Sequence, residues 1–218
     1  MLPTLPETVT QVRAVMGDPN TTSKDVAGII SRDPAVTAKV LGLSNSAAYA
    51  FLHHVDNIEL ATTLLGLREV YSLVLSSAVI EYVGKPEGFD YKAFWKDAMI
   101  CATLTKHFSK VLKLKDAAGI FASGLLHDLG RAVLAEVAPE RYAKLDHSLP
   151  DQELIEQENQ TFGLAHPEIG YILAQEWKLP PEFSEPMRYH NHPERARSAP
   201  QVTAVVALAA RIAELGGA

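Results

Sequence analysis

Apolar residues recur three and four positions apart along most of this chain, which is the spacing of one face of an α-helix. Strands would show alternating apolar and polar residues bounded by turn pairs, and the sequence has no such runs. The pattern therefore predicts an all-α protein. The predicted helices span residues 23–30, 34–44, 58–65, 70–83, 94–112, 115–127, 132–137, 139–145, 151–162, 166–177, 182–190 and 201–215.

Capping residues and glycines place several of these helix ends. Thr22 or Ser23 suits the N-cap of the first helix, and an Asp-Pro pair at 33–34 suits the start of the second. Asn57 is a good N-cap for the third helix, which a glycine at 66 should end. Gly130 is predicted to interrupt the helix after the His-Asp pair at 127–128.

A loop of sequence KPEG at residues 85–88 interrupts the helical pattern near the middle of the chain. We predict that it separates an N-terminal helical lobe, residues 1–88, from a second helical lobe, residues 89–218. So short a connection favours two lobes that share an interface within one domain.

The composition is that of a soluble globular protein, with 218 residues, 47% hydrophobic and 21% charged. No segment approaches the roughly 18 apolar residues of a membrane span, and no secretory signal is present, so we expect a cytoplasmic protein without a membrane partner.

The formal net charge of -6, without a basic run, argues against nucleic-acid binding. The single cysteine, Cys101, predicts no disulfide.

The candidate chemistry lies in the second lobe and centres on the adjacent pair His127–Asp128 at a predicted helix end. Asp97, His166 and His190 are the further candidate ligands. Imidazole and carboxylate groups suit Zn, Fe or Mn, and an ion with an open position can hold a hydroxide that attacks a phosphate ester. The structural alternative is that the pair only hydrogen bonds at a helix end, with Asp128 capping the next helix.

An ordered series of motifs resembles the HDOD family, the HD-related output domains of bacterial signalling proteins. The matching residues are LPTLP at 2–6, Asp33-Pro34, Asn45-Ser46, Tyr49, Ile58, Ala61, Leu65-Gly66, Phe94-Trp95, GLLHDLG at 124–130, Glu158, Gly163, His166, Gly170, Trp177, Leu179-Pro180 and His190. The resemblance covers essentially the whole chain. It implies a two-lobed helical bundle whose second lobe is similar to HD-domain metal-dependent phosphohydrolases.

The chain departs from the catalytic HD pattern at three positions. The resemblance implies a histidine where this chain has Asp97, and an aspartate where it has Ala210. The related HD-GYP phosphodiesterases, which hydrolyse cyclic di-GMP, also imply a histidine directly after His190, where this chain has Asn191. Because an alanine methyl group cannot ligate a cation, the sequence favours a degenerate metal site.

The resulting hypothesis is a non-catalytic bacterial signalling domain that binds another signalling protein or a nucleotide second messenger, with no firmly bound cofactor. One alternative keeps a divalent metal at Asp97, His127, Asp128, His166 and His190 without turnover. A second alternative is a phosphohydrolase acting on a cyclic dinucleotide or nucleotide through that rearranged site. A homodimer is compatible with these hypotheses on general grounds.

Overall fold

The computed structural model describes residues 5–49, 51, 54–82, 88–114 and 118–216. These residues form helices without any β-strand, which confirms the all-α prediction. None of the described helices has both the length and the apolar character needed to cross a bilayer. In chain order the helices are α1 (Glu7–Val15), α2 (Ser23–Ile30), α3 (Pro34–Ser44), α4 (Ile58–Leu65), α5 (Leu67–Tyr82), α6 (Tyr91–Val111), α7 (Ile120–Leu126), α8 (Leu129–Val137), α9 (Pro139–Tyr142), α10 (Asp151–Phe162), α11 (His166–Glu176), α12 (Pro181–Tyr189) and α13 (Pro200–Gly216), with a 3-10 helix at Pro193–Arg195.

Side-chain caps define the starts of the early helices. Thr22 and Asp25 form a reciprocal capping box, in which each side chain accepts a hydrogen bond from the other residue's backbone N–H, at 3.3 and 2.8 Å. The carboxylate of Asp33 accepts from two N–H groups in the first turn of α3, and Asn57 caps α4. These predicted helix starts are therefore confirmed.

Helix α7 is shorter than the predicted helix over residues 115–127. It begins only at Ile120, because Gly119 has a φ of 83° and its N–H donates to the buried carboxylate of Glu69 at 2.6 Å. Residues 115–117 lie outside the described ranges. The predicted start was wrong because a tertiary hydrogen bond, which periodicity does not report, fixes the turn before α7.

The predicted break at Gly130 is also wrong. The break between α7 and α8 lies at His127 and Asp128, and Gly130 lies inside α8. A Cβ atom added at Gly130 would lie 1.9 Å from the carbonyl oxygen of His166 and 2.9 Å from the backbone nitrogen of Gly170. The glycine therefore permits close contact between α8 and α11.

One large hydrophobic core connects α1–α5 with α6, α7, α8, α11 and α12. Leu73 of α5 and Phe121 of α7 are fully buried members of this core. A smaller cluster joins α6 to α13, and another surrounds α8, α9 and α10. The predicted lobe boundary lies outside the described residues except for Gly88, and the division into two lobes stays a prediction.

Candidate metal centre

Three buried polar side chains and one partly buried carboxylate, that of Asp128, meet where the ends of four helices converge. Asp128 is the N-cap residue of α8, Asp151 and His166 are the first residues of α10 and α11, and His190 directly follows α12. Helix α11 packs against both α8 and α12, which brings their ends together. Between 0 and 15% of each side chain is exposed. We call these four residues the helix-end cluster.

The donor atoms of the helix-end cluster lie within a few ångströms of one another. Oδ1 of Asp128 is 3.1 Å from Nε2 of His166 and 4.0 Å from Nε2 of His190. Oδ1 of Asp151 lies 3.7 Å from Nε2 of His166, and Oδ2 of Asp151 lies 4.0 Å from Nε2 of His190. Both imidazoles therefore direct the same ring nitrogen toward the same two carboxylates.

Hydrogen bonds behind the cluster fix this orientation of the imidazole rings. Nδ1 of His166 lies 2.7 Å from a carboxylate oxygen of buried Glu158, and Nδ1 of His190 lies 2.9 Å from the carbonyl oxygen of Pro186. Because both oxygens only accept hydrogen bonds, each Nδ1 carries a proton and donates it. Nε2 then faces the cluster, in the arrangement that supports metal-binding histidines.

Asp128 occupies the N-cap position of α8, but its side chain forms an ion pair and does not cap the helix. Its Oδ2 accepts from Nη1 of Arg131 at 3.0 Å, and its side chain makes no capping bond to α8. The prediction that the Asp128 side chain caps the next helix is therefore wrong. Burial opposes ionisation, but Arg131 and the surrounding imidazoles outweigh it and hold the pKa of Asp128 well below its usual range. Asp128 thus presents a charged Oδ1 to the cluster.

The pKa values of the two imidazoles of the cluster are shifted in opposite directions. Burial lowers the pKa of His190 to about 4, assisted by the neighbouring His127. Burial also lowers the pKa of His166, but Asp128, Glu158 and Asp151 outweigh this effect and raise it. In the absence of a metal ion, the proton on His166 offsets part of the charge of the two cluster carboxylates.

The cluster fits a divalent transition metal. Among the described residues, Oδ1 of Asp128, Oδ2 of Asp151 and Nε2 of His166 are buried atoms without a hydrogen-bond partner. Two lone-pair donors only 3.1 Å apart require a proton or a cation between them. Imidazole nitrogen with carboxylate oxygen is a ligand set that Zn²⁺, Fe²⁺ and Mn²⁺ accept. Asp128, His166 and His190 form the tightest group of candidate ligands.

His127 lies beside the cluster and not within its tightest group. Its Nδ1 donates to the carbonyl oxygen of Gly124 at 2.7 Å, and its ring is perpendicular to that of His190 with centroids 5.0 Å apart. Together with buried Cys101 of α6, it lines a cavity of about 300 Å³. His127 therefore faces the cavity while Asp128 connects the cavity to the cluster.

The structure does not bring Asp97 into the cluster. Asp97 is exposed and lines the cavity one turn of α6 before Cys101, which is buried. Ala210 of α13 lines the same cavity and packs near Cys101. The α6 and α13 walls therefore present a thiol and a methyl group to the interior beside His127.

Asp151 and Arg131 were not predicted to be site residues, and Glu158 was noted only among the residues that resemble the HDOD family. Asp151 follows Pro150 at a helix start, where an acidic residue is already expected from its interaction with the helix dipole. Arg131 lies three residues after Asp128, a spacing common in ordinary helical ion pairs. Neither pattern indicates a shared site without the tertiary contacts.

The fold and the cluster define an all-α protein with a buried His-Asp pair beside a candidate site for a divalent cation. The HDOD domain family model matches residues 2–193, and the chain belongs to this family. Membership confirms the resemblance inferred from the sequence motifs.

Solved structures agree with this assignment. A candidate phosphohydrolase from Shewanella amazonensis SB2B is 31% identical, with a TM-score of 0.81 and coverage of 97% of this chain and 77% of that one. An HDOD domain protein of unknown function from Geobacter sulfurreducens shows the same fold at 24% identity, with a TM-score of 0.81 and coverage of 97% and 72%. An uncharacterized protein from Treponema pallidum (strain Nichols) is 27% identical over 197 residues, which span 88% of this chain but 38% of that protein.

Proposed function

We propose that this HDOD domain regulates another protein by binding it, and that the helix-end cluster holds a divalent metal ion without hydrolysing a substrate. The observation that carries this proposal is that most of the cluster is closed off from the cavity. Of its four side chains, only Asp128 lines the cavity, and His166 is fully buried. Catalytic metal sites keep a coordination position open to substrate, whereas structural sites are closed.

The walls of the cavity support the same conclusion. The resemblance to catalytic HD proteins implies a ligand at Ala210 on α13, but a methyl group occupies that position. Asp128, His166 and His190 would hold the ion, which when bound would supply Lewis-acid chemistry. Glu158 orients His166 and Arg131 orients Asp128 whether or not an ion is present.

We expect protein purified without a chelator or histidine tag to contain about one transition-metal ion per chain, and Asp128→Ala to contain much less. The loss should follow because Asp128 supplies a charged ligand atom at the centre of the cluster. Elemental analysis measures this content. His192→Ala is the matched control, since His192 is 45% exposed and outside the cluster.

The same preparations should not hydrolyse cyclic dinucleotides or nucleotides when Mn²⁺, Fe²⁺ or Zn²⁺ is added. Metal-dependent hydrolysis that disappears in Asp128→Ala would replace the regulatory proposal with a catalytic one. Metal-free protein that binds no added ion would refute the metal component. Saturable binding of a cyclic dinucleotide without product would instead indicate a nucleotide sensor.

A metal-dependent phosphohydrolase is the second candidate, and the cavity at Asp128 favours it. His127 and Arg131 also line this cavity. The buried Nε of Arg131 has no hydrogen-bond partner among the described residues, and guanidinium groups suit phosphate oxygens. The similarity to the Shewanella amazonensis protein supports this candidate as well.

A groove between α4, α5 and the C-terminal end of α6 is our proposed surface for the partner. It has a volume of about 490 Å³, and Phe51, Leu64, Leu65 and Leu114 give it an apolar side. Leu64 is 50% exposed. We call this surface the α4–α6 groove. An apolar stripe of this kind suits the apolar face of an amphipathic helix.

Lysines form the other side of the α4–α6 groove. Lys106 is neutralised by buried Glu69. Among the described residues, Lys110 bonds only to the carbonyl oxygen of Ala48, and neither Lys110 nor Lys113 forms an ion pair with a carboxylate. The chain as a whole has a net charge of -6. Charge complementarity favours a partner helix that carries acidic residues beside its apolar face.

We expect Lys110→Glu combined with Lys113→Glu to weaken binding of a labelled amphipathic peptide, with leucines on one face and glutamates beside them, by at least about tenfold. Fluorescence anisotropy measures the binding. Lys92→Glu with Lys96→Glu is the matched control, because both lysines are exposed on α6 outside the groove. Equal weakening by the two variants, or no binding by the unchanged protein, would contradict this assignment of the groove.

A further inference from the structure

We infer that Asp151 is a fourth protein ligand of the metal site and that it closes the site into a structural one. This inference rests on the proposed metal binding and goes beyond it, because it assigns a ligand outside the expected set and a role for the ion. The juxtaposition that carries it is a buried carboxylate at the start of α10 that faces two histidine nitrogens, and whose Oδ2 has no hydrogen-bond partner in the part of the chain that the structure describes.

The burial of Asp151 requires a compensating group. Its side chain is 8% exposed, and its Oδ2 atom has no hydrogen-bond partner among the described residues. Carboxylates are seldom buried unless they are paired or coordinate a metal. The described residues place no Lys or Arg in an ion pair with Asp151, and its ion-pair contacts are to His166 and His190. A cation shared with these imidazoles would satisfy the free oxygen.

The donor separations agree with a four-coordinate site. Metal–ligand bonds of about 2.0 to 2.2 Å in a tetrahedral arrangement place ligand atoms about 3.4 Å apart. Oδ1 of Asp128 lies 3.1 and 4.0 Å from the two Nε2 atoms. Asp151 makes its two contacts with different oxygens, Oδ1 at 3.7 Å from His166 and Oδ2 at 4.0 Å from His190. The ligand atoms of Asp128, His166 and His190 already lie within 4.8 Å of one another, and the fourth position requires a rotation of the Asp151 carboxylate toward them.

Asp151 enters from a different element than the expected carboxylate. The resemblance implies an acidic ligand on α13, where the chain has Ala210, and α13 lies along the cavity wall. Asp151 lies at the start of α10 and is not among the cavity residues. A ligand supplied there leaves the ion enclosed by α8, α10, α11 and α12.

A backbone hydrogen bond fixes the direction of the His190 ring. His190 borders a separate depression lined by Gln152 and Ala207. Its Nε2 nevertheless faces the two carboxylates, since Nδ1 donates to Pro186. With two carboxylates and two imidazoles as ligands, the ion needs no protein donor from α6 or α13.

The test measures Zn²⁺ affinity by chelator competition, together with the unfolding temperature in Zn²⁺ and in EDTA. We expect Asp151→Asn to weaken Zn²⁺ binding by at least about 100-fold, since loss of even an outer hydrogen-bond partner costs 10- to 100-fold. Zn²⁺ should raise the unfolding temperature of the unchanged protein but not that of Asp151→Asn. In EDTA the two should unfold at similar temperatures, which shows that the variant folds.

Glu153→Gln is the matched control, because Glu153 is an exposed carboxylate in the same first turn of α10. It reports any general effect of removing a negative charge from the helix start, and it should leave Zn²⁺ affinity unchanged. Equal Zn²⁺ affinity in the unchanged protein and Asp151→Asn would overturn the assignment of Asp151 alone. If the unchanged protein bound no Zn²⁺, the proposed metal site itself would fail.

Discussion

Substituting alanine for Gly130 should lower the free energy of unfolding by about 3 kcal/mol or more. The new Cβ would lie 1.9 Å from the carbonyl oxygen of His166, and the obstructing atoms are backbone, so no side-chain rotation relieves the clash. Separating α8 from α11 would also move Asp128 away from His166. We therefore expect metal binding to fall with stability.

The effect of Gly130→Ala runs against the ordinary preference for alanine within a helix. Gly28 of α2 provides the control, since no atom lies within 4 Å of an added Cβ and the residue is exposed. Gly28→Ala should stabilise the protein by about 0.5 to 1 kcal/mol. Urea unfolding followed by circular dichroism measures both. Similar effects at the two positions would show that α8 and α11 do not require the glycine.

Replacing Glu69 with leucine should cost about 3 to 5 kcal/mol of stability, because it leaves a largely buried ammonium group without its counterion. Glu69 accepts hydrogen bonds from Lys106 at 2.7 Å, Tyr49 at 2.6 Å and the backbone N–H of Gly119 at 2.6 Å. Burial and the adjacent carboxylate raise the pKa of Tyr49, so that its hydroxyl remains a donor. Glu69→Leu removes the acceptor for all three groups.

The exposed pair Lys39–Glu81 is the control for Glu69, because its two atoms are also 2.7 Å apart. Its side chains are 36 and 56% exposed, and Glu81→Leu should therefore change stability by less than about 1 kcal/mol. Adding Lys106→Met to Glu69→Leu should recover part of the loss by removing the unpaired charge. A loss from Glu69→Leu no larger than that from Glu81→Leu would contradict the buried network. Chemical unfolding measures the whole series.

The helix boundaries that sequence reasoning predicted correctly are those set by neighbouring residues. The caps at Thr22, Asp33 and Asn57 act within four residues, so their chemistry is readable in the chain. The start of α7 depends instead on Glu69, and the glycine inside α8 depends on close contact with α11. Those partners are distant in sequence, and periodicity carries no information about them.

For the candidate site, the sequence identified imidazoles and a carboxylate that the structure brings together, but it did not distinguish Asp97 from Asp151. Both are acidic residues on predicted helices of the second lobe. The structure places Asp97 on an exposed face of α6 and Asp151 at a buried helix end beside His166. Which acid reaches the histidines depends on how the helices pack.

The sequence by itself determined the all-α class, most helix ends, membership in the HDOD domain family and the presence of His127 and Asp128 at the end of a helix. These properties follow from residue spacing, local capping and ordered motifs. Only the tertiary structure decided that Asp151 and Glu158 lie beside the histidines, that Cys101 and Ala210 line the cavity, and that Asp128 lines the same cavity whereas His166 is fully buried. The physical reason is that convergence of helix ends is set by side-chain packing between helices far apart in sequence, such as the contact that Gly130 permits.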